Sequence, residues 1–216
     1  MELVWHGLSC FRITERGMAT VVTDPYDASV GLPPLKLKAD IVTVSHDAPG
    51  HNNLKVVKGS PRAITRPGEY EIGNVFVTGI RMQPKGKKNN TDSTNTLFVF
   101  DFGGLTVAHL GNLEYVPTQS QIENLGTVNI ALVPAAGGGA LTAAKAAEVI
   151  SLIEPSIVVP MHYKTNKEQT GLGGVGRFLS EMGVAKSETL RSLKVSKSGL
   201  SEETQVLVLE AHTTPS

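Results

Sequence analysis

Three short runs of this chain are apolar at nearly every position: ADIVTVSH (39–46), VNIALVP (128–134) and SIVVPMHY (156–163). Strands with one wet face alternate polar and apolar residues. Runs without that alternation read as strands covered on both sides. Such strands need a layer above and a layer below, which constrains the fold more than any other feature of the sequence.

The remaining segments supply those layers. ELVWH (2–6), CFRITE (10–15) and ATVVTD (19–24) are strand-like, as are RAITR (62–66), EYEIG (69–73), NVFVTGIRM (74–82), NTLFVFDF (95–102) and LTVAHL (105–110). The Gly103-Gly104 pair marks a tight hairpin between the last two. After residue 110 strands alternate with helices. PTQSQIENLG (117–126) reads as a short helix. LTAAKAAEVISLIEP (141–155) reads as a longer one, with Thr142 as N-cap and Pro155 as stop. GRFLSEMG (176–183) is a third helix and TQVLVLEA (204–211) a last strand. Residues 1–216 read as one domain with a layered α/β (α+β) fold: two sheets packed together, with helices outside.

Composition narrows the function. Twenty basic residues balance twenty acidic ones, which argues against a nucleic-acid binder. Cys10 is the single cysteine, so no internal disulfide can form, and a reducing cytoplasmic setting is expected. The first residues read as a strand and not as a leader, and nothing approaches the roughly 18 apolar residues of a membrane span. The polar, lysine-rich stretch PKGKKNNTDSTN (84–95) reads as a surface loop.

The histidines carry the chemistry. His46, His109 and His162 stand where strands run out into loops, and His51 follows His46 in the same loop. Strand ends are where α/β proteins gather functional groups, so a shared site is expected. AAGGGALTAA (135–144) leads glycines into a helix start that could receive a phosphate or carboxylate, although turn formation explains it as well. Cys10 lies in an apolar strand and reads as a buried small hydrophobe. His6 and His212 belong to no motif.

TVSHDAPGHNN, RPGEYEIG, HLGN and VVPMHYKT, in that order, resemble landmarks of the metallo-β-lactamase superfamily. WHGLSCFRI, VVTDPY and NTLFVFDFGGLTVAHLGN are similar to a compact cytosolic branch of Zn-dependent hydrolase-like proteins related to ascorbate-6-phosphate lactonase. The resemblance implies a four-layer αββα sandwich with a site along one edge, and in this branch often a homo-oligomer. It also implies a two-ion centre with a bridging hydroxide.

The ligands that the resemblance implies are largely replaced. In the family's His-x-His-x-Asp-His loop, His46 and His51 match the first and last histidines. Ala48 stands at the second histidine and Gly50 at the aspartate, while Asp47 falls at a position the family does not use. No histidine lies between His51 and His109; Gln83 or Pro84 stands near the place of the family's middle one. Asn112 replaces the bridging aspartate and Leu8 an upstream site histidine. His162 matches the final histidine. Two adjacent dications need carboxylates to neutralise them, so a standard dinuclear centre is not expected.

The expected metal ligands are therefore His46, His51 and His162, for at most one zinc or manganese ion. Asp24, Ala48, Gly50, His109 and Asn112 are expected to line or support the cleft. Three readings stay open. One is a protein with a degenerate site that binds, regulates or scaffolds without standard turnover. Another is a mononuclear hydrolase acting on an ester, lactone or phosphoester. The third is a metal-free enzyme using His46 or His162 as general base. A small anionic ligand is a possible partner of the cleft in any of them.

Overall fold

The computed structural model describes residues 1–83, 94–165 and 171–212. Most of the lysine-rich stretch 84–95 lies outside the described residues. The first part of the chain holds β1 (Glu2–Gly7), β2 (Cys10–Thr14), β3 (Val21–Thr23), β4 (Leu37–Lys38), β5 (Ile41–Thr43), β6 (Val57–Lys58) and β7 (Arg62–Ile64). It continues through β8 (Gly68–Ile72), β9 (Val75–Met82), β10 (Asn95–Asp101) and β11 (Thr106–His109). Then come α1 (Gln119–Glu123), β12 (Ile130–Pro134), α2 (Ala143–Ile153), β13 (Ile157–Met161) and α3 (Gly176–Glu181). The short strands β14 (Thr189–Leu190), β15 (Leu193–Lys194), β16 (Gln205–Val206) and β17 (Val208–Leu209) follow.

Two mixed sheets form the centre. One has the order β15-β1-β2-β3-β5-β7, the other β16-β13-β12-β11-β10-β9-β8. Alternation along each strand sorts its side chains between layers. Phe11 and Ile13 of β2, Ile41 of β5, Phe98 and Phe100 of β10, and Val159 of β13 meet in a shared core between the sheets. Each fully buried phenylalanine there contributes about 1.5–3 kcal/mol by leaving water. The residues between them in sequence face outward. Leu97, Ala131 and Val158 pack under Ile122 of α1, Val149 and Ile150 of α2, and Phe178 of α3. Cys10, Val22 and Val42 are covered by Tyr26, Leu32, Leu35 and Leu37. The three apolar runs are thus covered on both faces.

The layers follow the expected αββα sandwich. Among the described residues the α-helices α1, α2 and α3 fall after residue 118 and cover the second sheet. Over the first sheet the outer layer is built from two 3₁₀ turns (Ala28–Val30 and Leu54–Val56) and the β4–β6 ribbon. The Thr142 cap holds: its hydroxyl accepts from the Lys145 N–H, and α2 ends at Ile153 with Glu154 as C-cap just before Pro155. The glycine hairpin also forms, with Gly103 and Gly104 both at positive φ. The stretch 204–211 differs from expectation. It divides into β16, which extends the second sheet beside β13, and β17, which pairs with β14. Leu207 separates them, donating its N–H to the Val158 carbonyl. Four of the two-residue strands, β4, β6, β14 and β15, are paired by contacts distant in sequence and were not foreseen.

Candidate metal centre

β3 and β5 run parallel, so the chain leaves both at the same edge of the first sheet. Asp24 follows β3 and Ser45 and His46 follow β5. The Asp24 N–H donates to the Thr43 carbonyl at 2.9 Å, which ties the two strand ends together. Asp24 is fully buried and has φ +38°, a backbone region that aspartate tolerates better than most residues. Its carboxylate accepts from the Ser45 N–H at 2.7 Å and from the Ser45 hydroxyl at 2.5 Å. That hydroxyl also lies 2.9 Å from Nδ1 of His46. Engaged on that side, the His46 ring keeps Nε2 for other partners.

The loop 46–51 folds back on itself through Ala48 N–H to His46 O and His51 N–H to Ala48 O. This returns His51 to the same corner. Its Nδ1 stands 3.6 Å from the Asp24 carboxylate, and its ring centroid is 4.3 Å from that of His46. His162 arrives from the other sheet, one residue past β13. Its ring lies 5.3 Å from His51, and its N–H donates to the Leu8 carbonyl, which also accepts from the Trp5 indole. Ligating atoms of Asp24, His46 and His51 all lie within 4.8 Å of one another.

Electrostatics suit a cation. Burial alone would raise the Asp24 pKa, but neighbouring His109, His51 and His46 outweigh it and hold the carboxyl at about 2. Burial, with His51 beside it, lowers His46 to about 4. Burial, with His51 and His46 nearby, lowers His162 to about 3. Both imidazoles are therefore neutral near pH 7, as ligation requires. Nδ1 of His162 is buried and has no hydrogen-bond partner among the described residues, and the buried Nδ1 of His51 faces the Asp24 carboxylate at 3.6 Å. A buried imidazole nitrogen without a partner is costly unless something fills its place. One carboxylate and neutral imidazoles with lone pairs to offer form a donor set that fits one zinc-like ion.

Two positions where the resemblance implies further ligands, Ala48 and Gly50, carry no ligating side chain. At Gly50 the backbone has φ +90°, and a Cβ there would come within 2.9 Å of Val30 and 3.5 Å of Leu8. A side chain at this position would therefore have to displace a Val30 methyl, while Leu8 lies at ordinary contact distance. Asn112 lines the cleft with a neutral amide, and its backbone N–H donates to Asn95 Oδ1 at 2.9 Å.

The cleft has a volume of about 450 Å³. His46, His51, His162, Ala48 and Asn112 are on its wall, with Leu8, Val30 and Leu172 as an apolar face. Gly50 lies buried beneath Val30. His109 sits behind the cleft, fully buried, with Nε2 at 2.9 Å from the Ser9 carbonyl and its ring edge-on to Phe11. Burial lowers its pKa, while Asp24 and the Ser9 carbonyl oppose that shift. Sequence reasoning missed Ser45, Asn95 and Glu114, the last an exposed carboxylate on the cleft wall. Ser45 adjoins His46, and that adjacency was the only available signal.

The sandwich and its edge cluster of carboxylate and imidazoles define a protein of the metallo-β-lactamase type. The family model of the beta-lactamase superfamily domain matches residues 2–162, and the chain belongs to that family. It is similar to a proposed Zn-dependent hydrolase of the metallo-β-lactamase superfamily from Thermotoga maritima, at 33% identity with a TM-score of 0.79, over 96% of this chain and 97% of that one. It is also similar to a UPF0173 protein of Pyrococcus furiosus, 28% identical over 78% of this chain and 86% of that protein. A UPF0173 metal-dependent hydrolase of Thermoplasma acidophilum is 27% identical over 76% and 84% of the respective chains. Among the described residues no helix is long and apolar enough to cross a membrane.

Proposed function

We propose that this chain lacks the two-ion hydrolytic centre of its superfamily and is a one-ion, metal-dependent hydrolase. Its ligands are Asp24, His46 and His51, with His162 adjoining them. The observation that carries this reading is the contrast within the cleft. Ligating atoms of three residues lie within 4.8 Å of one another, while at the position of the loop aspartate Gly50 leaves no room for a Cβ beside Val30. Asp24 supplies the negative charge that three histidines alone would lack.

A cation held there supplies Lewis acidity and a water acidified to a pKa of about 7. The chain's own residues do the rest. Ser45 fixes the Asp24 carboxylate and the His46 ring. Asn112 offers an amide to a substrate oxygen, and Glu114 offers a carboxylate at the cleft wall for proton transfer. Leu8, Val30 and Leu172 exclude water from an apolar part of the substrate. The reaction class is hydrolysis of an ester, lactone or phosphoester.

Zinc and manganese titration of metal-free protein, together with turnover of p-nitrophenyl esters and phosphodiesters, tests the proposal. One ion per chain, with metal-dependent turnover lost in His46→Ala, supports it. Two ions, or none at millimolar metal, contradict it. A second reading, binding without turnover, is favoured by the aliphatic wall that stands where site residues would. One bound ion with no turnover across the substrates would select it.

A further inference from the structure

A second groove, of about 780 Å³, adjoins the cleft and shares His46, Asp47 and Thr94 with it. Two arginines, Arg66 and Arg81, stand on its wall. Their placement follows from the strands. Along β9, Val75 and Val77 point into the core between the sheets, whereas Met82 packs on the helix side. Alternation therefore puts Gly79 and Arg81 on the inter-sheet face with the valines. At the mouth of the sandwich, where the core would continue, the chain has a guanidinium.

Arg66 is brought to the same place by Gly79. A Cβ at Gly79 would lie 3.0 Å from the Arg66 carbonyl and 3.1 Å from Pro67 Cα. The bare glycine lets the segment 66–67 lie against β9, two residues from Arg81. Across the ladder Arg81 is paired with Thr96, whose N–H donates to the Ser45 carbonyl at 2.7 Å. The arginine wall is thus tied through one strand pairing and one hydrogen bond to the residue that orients His46. Both arginines are exposed, and among the described residues neither forms an ion pair. Asp47, the acid on the groove wall, is already engaged by the Asn52 amide at 2.5 Å.

Two exposed arginines on one groove wall, neither ion-paired among the described residues, suit a planar or tetrahedral oxyanion, which the guanidinium fork binds in bidentate fashion. We infer that Arg66 and Arg81 form the specificity subsite of this protein. It receives a phosphate or carboxylate group carried by the substrate at a distance from the bond that is broken at His46. This inference rests on the hydrolase reading for its purpose, but the anion binding it predicts needs no metal.

The test uses metal-free full-length protein with inorganic phosphate and acetate as probes, in buffers matched for ionic strength with sodium chloride. Binding is read by calorimetry and by the shift in Tm. At least one anion binds the wild type above the chloride control. Arg66→Ala and Arg81→Ala each weaken it by about tenfold or more. Arg62→Ala, an exposed arginine of β7 off the groove, leaves it unchanged. Arg81→Lys keeps the charge without the fork and gives an intermediate loss. Preference for phosphate identifies a phosphorylated substrate, and preference for acetate a carboxylate one; both support the subsite. No binding above chloride, or undiminished binding in the double alanine variant, overturns it. Zinc uptake by the double variant separates the two proposals. One ion bound without anion binding in the wild type sinks only the subsite, and anion binding without zinc uptake sinks only the one-ion hydrolase.

Discussion

The two flanks of the cleft have opposite chemistry although they are built from neighbouring loops. On one flank Asp24, Ser45, His46 and His51 form a continuous polar corner in which every carboxylate oxygen has a partner. On the other, Leu8, Val30 and Leu172 form an aliphatic wall, with Val30 and Leu8 next to Gly50. In this chain the wall opposite the polar corner is aliphatic, and a side chain at Gly50 would press on Val30.

That contrast is most severely tested by Gly50→Asp. The residue would have to adopt a backbone conformation at φ +90° and push its Cβ into Val30. Strain and overpacking together predict a loss of about 3–5 kcal/mol, read by urea denaturation, with no second ion gained. A stable variant binding two ions would break the comparison.

Asp24→Ala comes next. It strips the Ser45 N–H and hydroxyl of their acceptor inside the protein, a loss of about 2–4 kcal/mol. Asp24→Asn is the sharper probe, because asparagine accepts the same backbone conformation. It costs about 1 kcal/mol in stability yet lowers zinc affinity by about 10–100-fold or more, measured by competition with a chelating dye. Equal zinc affinity in Asp24→Asn would remove the polar flank's claim to be a metal corner.

A buried imidazole outside both flanks serves as reference. Burial, opposed by the His212 carbonyl at Nδ1, lowers His6 from 6.5 to about 4. A group whose folded pKa is depressed stabilises the fold fully above its unfolded pKa. That stability is lost as pH falls from about 6.5 toward 4, because the unfolded chain takes up the proton first. The loss reaches about 3 kcal/mol at the acid end. In metal-free protein, His6→Gln should flatten part of the fall in Tm between pH 7 and 4. An unchanged slope would contradict the burial assigned to His6.

The smallest effect is Val30→Ala, about 1 kcal/mol for a half-buried side chain. Its use lies in combination. If Val30 fills the vacated place, Gly50→Asp costs less in the Val30→Ala background, and the coupling exceeds about 0.5 kcal/mol.

Much of the architecture was legible in the sequence because strand burial writes itself into local pattern. ADIVTVSH, VNIALVP and SIVVPMHY lack alternation, and each is covered on both faces. β4, β6, β14 and β15 carried no such signal, since two residues hold no period and their partners are distant in sequence. At the site, the histidines at strand ends were legible, and their convergence was an inference from position. The share of Asp24 in the cluster was not, because it depends on β3 and β5 ending side by side. The packing of Val30 and Leu172 beside Leu8 joins three distant segments, and only the folded chain displays it. Arg81 could have been noticed as a charge in the inward register of β9, where Val75 and Val77 set the phase.

Metal stoichiometry tests the central claim most directly. Native mass spectrometry of zinc-saturated protein, checked by elemental analysis, should find one ion per chain in the wild type, and that ion should be lost or greatly weakened in Asp24→Asn. Two ions per chain, both retained in Asp24→Asn, would contradict the account.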